Sequence, residues 1–262
     1  LSLHALFRSV KSFKKYVDEM LSILPFEVSF YKKHDYRIDY VGNPVVDAVA
    51  NFREENKNDV KDKFIAENNL DNKPIVALLA GSRQQEIKDN LPAMLEAIEG
   101  FKDYQAVIAG APGIDPDYYK EYIGGNSCKI VFGQTYRLLQ YADVALVTSG
   151  TATLETALFK VPQVVCYKTP IPHVVYWAFK NILHTKYISL VNLIADRVVV
   201  QELFAKFFSV DTIREEVNKL LNDKTYRETM LADYDEVIKI LGESGASQRA
   251  ADIIIQKLKR GK

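Results

Sequence analysis

Five short apolar runs constrain this chain more than anything else in it: Pro74–Ala80, Gln105–Ala111, Lys129–Gly133, Ala142–Thr148 and Pro162–Lys168. Strands that are apolar at nearly every position cannot keep one face in water, so they belong in a sheet covered on both sides. Between most of them lie stretches of helical pattern or length. In Gln84–Gly100 the apolar residues Ile87, Leu91, Leu95 and Ile98 recur at i, i+4, i+8 and i+11. Strands alternating with helices predict an α/β domain with a doubly wound parallel sheet, the alternation running from about residue 45 to 200.

The flanks do not share that alternation. Ser9–Leu24 is a helix candidate, while Pro25–Tyr31 (PFEVSFY) and Tyr36–Gly42 (YRIDYVG) read as strand material closed by Gly42-Asn43-Pro44. These look like pieces of a different sheet. Because the chain opens at Leu1 directly into helical pattern, a longer protein is expected, with residues 1–44 a remnant of its other domain. After Ser209 the pattern is helical and charged over Asp211–Asn222, Lys224–Leu241 and Ala246–Lys259, with Gly242 and Gly245 separating the last two.

Composition removes several classes. Lysine plus arginine equals aspartate plus glutamate at 34 each, for a formal net charge of zero. A nucleic-acid binder draws most of its affinity from a basic surplus, which is missing. The two cysteines, Cys128 and Cys166, sit inside apolar runs and read as buried thiols rather than as a disulfide or metal site. No apolar run approaches the roughly 18 residues that a spanning helix needs.

Doubly wound sheets bind ligands at the carboxyl ends of their strands, so the loops there come first. After Pro74–Ala80 comes Gly81-Ser82-Arg83-Gln84-Gln85-Glu86. Ser82 with Gln85 three residues on reads as a capping box, and Gly81 eases the turn. Arg83 falls at the expected first helical position, where the macrodipole disfavours a cation. A bound anion removes that conflict, because glycine-turned helix N-termini hold phosphates and arginine forks onto their oxygens. After Ala142–Thr148 comes Ser149-Gly150-Thr151-Ala152-Thr153-Leu154-Glu155, whose small residues allow close backbone approach to a ligand. Alanine at position 152 leaves Glu155 without a capping partner, free to accept from sugar hydroxyls; the competing reading is a glutamate serving the helix dipole.

Other motifs fail. There is neither a G-x-x-x-x-G-K-[ST] loop nor a G-x-G-x-x-G fingerprint. Ser149 lacks the glycine that a nucleophile elbow places two residues before its serine. Asp115-Pro116-Asp117 has a metal-like look but opens Tyr118–Ile123 as an ordinary N-cap with proline. His4, His34, His173 and His184 form no ligand spacing. In the segment Pro170–Tyr187, Val174, Val175, Ala178, Phe179 and Ile182 make an apolar face, opposite a strip of His173, Tyr176, Trp177, Lys180 and His184. Aromatic rings beside cations suit a membrane interface or lipid substrate, and a helix buried on both sides is the alternative. Asn192 stands alone as an amide in the apolar run Ile188–Ala195, a turn or a ligand contact.

Together these residues resemble the lipid-A-disaccharide synthase family, glycosyltransferases of the GT-B fold. The resemblance covers nearly the whole chain: ILPFE (Ile23–Glu27), YVGNP (Tyr40–Pro44), AGSRQQEI (Ala80–Ile87), SGTATLE (Ser149–Glu155), PQVVCYK (Pro162–Lys168), KYISLVNLIADR (Lys186–Arg197), QEL (Gln201–Leu203) and GASQRAA (Gly245–Ala251). It implies two facing Rossmann-like domains and metal-independent, inverting transfer of 2,3-diacylglucosamine from UDP-2,3-diacylglucosamine to 2,3-diacylglucosamine 1-phosphate (lipid X). This takes place on the cytoplasmic face of the inner membrane, in lipid A synthesis.

By the same resemblance, residues 1–44 belong to the acceptor domain and its linker, 45–240 form the UDP-sugar donor domain, and 241–262 make a helix crossing back. Gly81, Ser82 and Arg83 would hold the diphosphate. Ser149, Gly150, Thr151, Ala152 and Thr153 would meet the leaving group, Glu155 the ribose, and Asn192 the donor. Gln134, Arg197 and Glu202 are further candidates. Tyr176, Trp177 and Lys180 would touch membrane or acyl chain. No cofactor, metal or nucleic acid is implied, a homodimer is left open, and the catalytic base is expected in the acceptor domain, so none is named here. Asn43 stands where the family usually has histidine, Val191 where it has proline, and Ala205 where a glutamine often closes the run. The competing readings are a nucleotide-sugar epimerase, which needs acid/base residues inside this cleft, another GT-B glycosyltransferase, and a non-enzymatic interaction module.

Overall fold

The computed structural model describes residues 12–124, 128–148, 150–179, 181 and 186–260. A short parallel pair comes first, β1 (Leu21–Ser22) with β2 (Asp39–Tyr40), joined through α1 (Pro25–Lys32). The segment PFEVSFY is therefore helical, against the strand expectation. Pro25 occupies the start of the helix, and the Ser22 hydroxyl both accepts from the Leu24 amide at 3.1 Å and donates to the Glu27 carboxylate, fixing the entry turn. Phe26 then packs on the main core, so tertiary contact overrides β-propensity. The helix expected over Ser9–Leu24 is seen only at 12–16, before the chain extends into β1; residues 9–11 lie outside the described residues.

After α2 (Pro44–Glu55) and α3 (Lys61–Glu67) the alternation begins: β3 (Ile75–Leu79), α4 (Gln84–Ile98), β4 (Gln105–Gly110), α5 (Pro116–Ile123), β5 (Lys129–Phe132), α6 (Thr135–Tyr141), β6 (Val144–Val147), α7 (Thr151–Leu158) and β7 (Gln163–Tyr167). It continues through α8 (Pro172–Ala178), α9 (Leu190–Ala195) and β8 (Gln201–Phe204), and ends in α10 (Val210–Asn222), α11 (Lys224–Leu241) and α12 (Ala246–Arg260). The sheet is parallel throughout, in the order β5-β4-β3-β6-β7-β8, the doubly wound Rossmann arrangement. All five apolar runs are strands. The sixth, β8, lies past the boundary drawn near residue 200; it is an edge strand opening on half-exposed Gln201 and Glu202, so it carries no apolar run.

The central strands are buried on both faces. Along β3, Val76 and Leu78 point to a core built with α4, α7, α9, α10 and α11, while Ile75, Ala77 and Leu79 point to a second core with Phe64 of α3 and Leu138 and Leu139 of α6. The α3 side is also pinned electrostatically. Arg137 of α6 holds Asp59, in the loop before α3, through two bonds of 2.8 and 2.9 Å, and reaches Glu67 at 2.8 Å. Tyr141 also donates to Asp59 at 2.9 Å.

The Arg137 guanidinium keeps the Asp59 carboxyl below its ordinary value of 3.8. The pair thus contributes stability above that pH, which is lost as pH falls through the lower folded-state value. Asp59→Asn weakens the hold on Arg137, which keeps Glu67, and is expected to cost about 1.5 kcal/mol at pH 7. In urea unfolding from pH 7 to 2, the gap between wild type and variant should narrow below about pH 4; a gap independent of pH would remove the ion pair from the account.

Candidate functional site

β3 and β6 are neighbours, yet the chain leaves β3 toward β4 and leaves β6 toward β7, on opposite sides. Their departing loops diverge and leave a cleft of about 400 Å³ at the carboxyl ends of the strands. The loops after β3, β4 and β6 line it, together with the start of α6.

In the first loop the chain reverses at Gly81, whose φ of +123° is costly for any residue with a β-carbon. The capping box expected from Ser82 and Gln85 does not form. Arg83, not Ser82, is the N-cap residue, so Ser82 lies one position too early to cap, and Gln85 bonds Asp89 instead. The Ser82 amide donates to Glu86 Oε2 at 2.9 Å. Arg83 accordingly precedes the helix rather than beginning it. Its side chain is 82% exposed at the rim, 3.6 Å from Glu86 Oε1.

The second loop enters α7 through Gly150 at φ +144°, with no side chain capping the helix. Gly150, Thr151, Ala152 and Glu155 line the cleft. Thr153 does not: it is buried, its hydroxyl donates to the Gly150 carbonyl at 2.8 Å, and its carbonyl accepts from Gln163. Ser149 lies outside the described residues. Glu155 accepts from the Tyr136 hydroxyl at 2.9 Å, and burial raises its carboxyl above the ordinary 4.5. Burial, with Glu155 beside it, raises the Tyr136 phenol as well.

Several contributors escaped the sequence. Thr148, 3% exposed, lines the cleft with a hydroxyl that has no hydrogen-bond partner among the described residues. Gly110, Ala111 and Pro112 form the wall after β4, and Thr135 closes the side. The small-residue turn AGAPG at a strand end was a usable signal for the wall. Thr148 and Thr135 carried none beyond their place at element ends.

Other candidates lie elsewhere. Asn192 is buried with its bonding capacity filled: Oδ1 accepts from the Val199 and Val200 amides at 2.8 and 3.0 Å, and Nδ2 donates to the Val200 carbonyl and to Glu202, both at 2.9 Å. Glu202 also accepts from the Ile188 and Ser189 amides and the Ser189 hydroxyl. These two residues join α9 to β8 away from the cleft. Gln134 bonds Asn68 and Arg137, and Arg197 bridges Asp233 and Glu236 of α11.

A second cavity, about 620 Å³, lies under α8, lined by Tyr176, Phe179, Phe204 and Phe207 and also by Asn192 and Glu202, the two predicted site residues that the first cleft lacks. The aromatic strip expected along α8 divides there. Tyr176 turns inward against Phe204 and Phe207 with Lys206 over its ring, while Trp177 is 59% exposed. Val174, expected on a buried face, is instead 58% exposed. Lys180 and His184 lie outside the described residues. Asp115 is the N-cap of α5, accepting from the Asp117 amide at 2.8 Å, and both cysteines are free thiols.

Sheet order and a cleft at the central divergence define a doubly wound α/β domain of the Rossmann class, in the form found in GT-B proteins. Among solved structures, the S. aureus MnaA–UDP co-structure matches at TM-score 0.64, covering 92% of this chain and 60% of that one at 14% identity. UDP-GlcNAc 2-epimerase from Neisseria meningitidis bound to UDP-GlcNAc matches at TM-score 0.58, covering 84% and 56% at 17% identity. The wall teichoic acid polymerase TagF matches at 0.57, covering 99% and 61% at 15% identity.

Sequence relationship is narrower than fold. The chain belongs to the lipid-A-disaccharide synthetase family, whose model matches residues 7–256. The lipid-A-disaccharide synthase of Myxococcus xanthus is 35% identical over 97% of this chain and 66% of its own length. That of Anaeromyxobacter dehalogenans is 33% identical over 94% and 64%. The chain thus spans 64–66% of the length of these relatives.

Because burial raises the Glu155 carboxyl, the folded chain holds that proton more tightly than the unfolded chain does, and stability falls as pH rises from 4.5 through the folded-state value. Glu155→Gln keeps an acceptor for Tyr136 and removes the charge. Its Tm should match wild type near pH 4 and exceed it by about 2 °C at pH 7.5; a lower Tm at pH 7.5 would show that the carboxylate is well accommodated.

Proposed function

We propose that the cleft between β3 and β6 holds the uridine diphosphate of a nucleotide sugar. In this reading the chain is the donor half of an enzyme moving 2,3-diacylglucosamine from UDP-2,3-diacylglucosamine to 2,3-diacylglucosamine 1-phosphate, forming a β-1,6-linked disaccharide and UDP. The observation that carries it is the convergence on one cleft of two glycine-turned loops, with Arg83 at the rim and Glu155 behind. Family membership supplies the substrate class, and UDP in the MnaA structure supports the nucleotide.

The roles follow from position. Arg83 and the Ser82 amide take the diphosphate, the opening of α7 takes the leaving group, and the Thr148 hydroxyl gains the partner it lacks. Glu155 accepts from ribose hydroxyls. In the reaction the acceptor 6-hydroxyl attacks the anomeric carbon from the side opposite UDP. The new C–O bond forms as the bond to the β-phosphate oxygen breaks, and that oxygen keeps the electron pair. Arginine and helix amides stabilise the departing charge, without a metal or cofactor. The hydroxyl proton passes to a carboxylate base, which the proposal assigns to the part of the relatives' length that this chain does not span.

Residues 45–240 would be the donor domain, and 1–44 and 241–262 the segments joining it to the acceptor side. Bonds between these segments favour that division: the Tyr40 hydroxyl donates to the Leu241 carbonyl at 2.8 Å, and Arg249 Nε to the Val41 carbonyl at 2.7 Å. An acylated sugar also needs an apolar environment. The exposed Ile171, Val174 and Trp177 at α8 suit a bilayer surface, and the aromatic cavity beneath them suits an acyl chain. No helix among the described residues is long and apolar enough to cross a membrane, so the contact is proposed as peripheral, at the cytoplasmic face of the inner membrane.

Calorimetric titration with UDP, chelator present, tests the cleft. Arg83→Ala and Glu155→Ala should each weaken binding by about tenfold, the value of one charge-assisted hydrogen bond. Absence of heat with folded protein, or equal affinity in both variants, would move the nucleotide out of this cleft. For the membrane contact, Trp177→Ser should reduce co-sedimentation with phosphatidylglycerol vesicles by about threefold while leaving Tm unchanged. Unaltered sedimentation would assign that surface another role.

A further inference from the structure

The cleft assigned above to a diphosphate carries the wrong charge for one. Among its described lining residues there is one cation, Arg83, against two carboxylates, Glu86 and Glu155. Glu155 lies toward α6, bonded to Tyr136. Glu86 sits on the phosphate-binding elements themselves. One of its oxygens accepts from the Ser82 amide at 2.9 Å, and the other faces the Arg83 guanidinium at 3.6 Å. Those are the two donors that a phosphate needs.

The geometry around Glu86 is that of an occupied anion site. Its carboxylate lies at the opening of α4, where aligned peptide dipoles favour negative charge. Gly81 provides the room: a β-carbon there would overlap Glu86 Cβ and stand 2.6 Å from Oε2. The hold is loose, because Arg83 is solvent-exposed and an exposed ion pair contributes little net free energy. Elsewhere in the same cleft the buried Thr148 hydroxyl has no partner among the described residues, so the carboxylate fills only part of the site's bonding capacity.

We infer that Glu86 is a displaceable internal occupant of the anion site: its carboxylate holds the Ser82 amide and Arg83 until a diphosphate exchanges with it. Glu86 thereby sets both the affinity and the selectivity of the cleft. A ligand with enough charge replaces the carboxylate on Ser82 and Arg83. A nucleoside without phosphate has nothing to exchange and binds through its base and ribose alone. The inference rests on the reading of this cleft as a nucleoside diphosphate site.

The test is a titration of wild type, Glu86→Gln and Glu86→Ala with UDP and with uridine, each variant checked by thermal unfolding. Glutamine keeps the size and an acceptor for Ser82 but carries no charge. Removing a negative charge from beside the phosphates should tighten UDP about five- to tenfold in both variants, with uridine unchanged within about twofold. UDP binding that is unchanged or weaker in a folded variant would overturn the inference, making Glu86 a positioning group for Arg83. Equal tightening of UDP and uridine would overturn it too, as general loosening of the cleft. These failures leave UDP bound by wild type, so the nucleotide reading survives them; binding of UDP by neither wild type nor variants would end both. Binding by the variants alone would support the exchange in its strongest form.

Discussion

The parallel pairing of β3 with β6, Val76 opposite Val144 through Leu79 opposite Val147, is the constraint on which the rest of the structure depends. Both strands are apolar on both faces, so each demands helices above and below. The chain meets that demand by winding one way from β3 to β5 and the other way from β6 to β8. Two windings that start from adjacent strands must part company at their carboxyl ends. The cleft is thus a geometric consequence of burying this pair, and its lining is whatever side chains the diverging loops carry.

What those loops carry is short, turn-permitting and sparsely charged. Gly81 and Gly150 adopt positive φ, and these turns bring backbone and helix openings to the cleft. Arg83 is the one cation in the described lining, beside two carboxylates and the hydroxyls of Ser82, Thr135, Thr148 and Thr151. Glu155 is held by Tyr136 in a desolvated corner, where burial favours its protonated form. Glu86 lies beside Arg83 at the α4 opening. Similar side chains thus sit at two ends of one cleft in different surroundings, one against the Tyr136 hydroxyl and the other against the Ser82 amide and Arg83.

The central strands were legible because two-sided burial writes itself as uninterrupted apolar sequence, and each run became a strand within two residues of its expected ends. The elements that were missed or misread are those whose state is decided by partners rather than by pattern. PFEVSFY has strand propensity, yet Pro25 and the Ser22–Glu27 contact start a helix. Edge strand β8 needs only one neighbour and opens with polar residues. In the site, Arg83, Glu155 and the two glycines could be read from their loops. The Glu86 fold-back could not, since it depends on where the chain reverses, at Gly81, one residue before the position that would let Ser82 cap.

Asn192 and Glu202 separate resemblance from geometry. An amide alone in an apolar run and a glutamate nearby match positions associated with the donor, and the sequence offers no means of telling a ligand contact from a structural hub. The distinction lies in bonding capacity. Asn192 has two donors and two acceptor sites, and all are spent within the segment linking α9 to β8. Glu202 receives three further bonds from Ile188 and Ser189. Asn192 therefore has a structural role that its sequence context does not reveal, whereas Glu202 is half-exposed and accepts only the Ile188 amide at Oε2, so that oxygen keeps acceptor capacity. Thr148 is the opposite case: absent from every motif, buried, and with its hydroxyl unspent beside the cleft. Thr148 and Glu202 thus differ from Asn192 in one physical respect: each keeps hydrogen-bonding capacity facing a cavity, a property written in the packing of the segment and not in its motif.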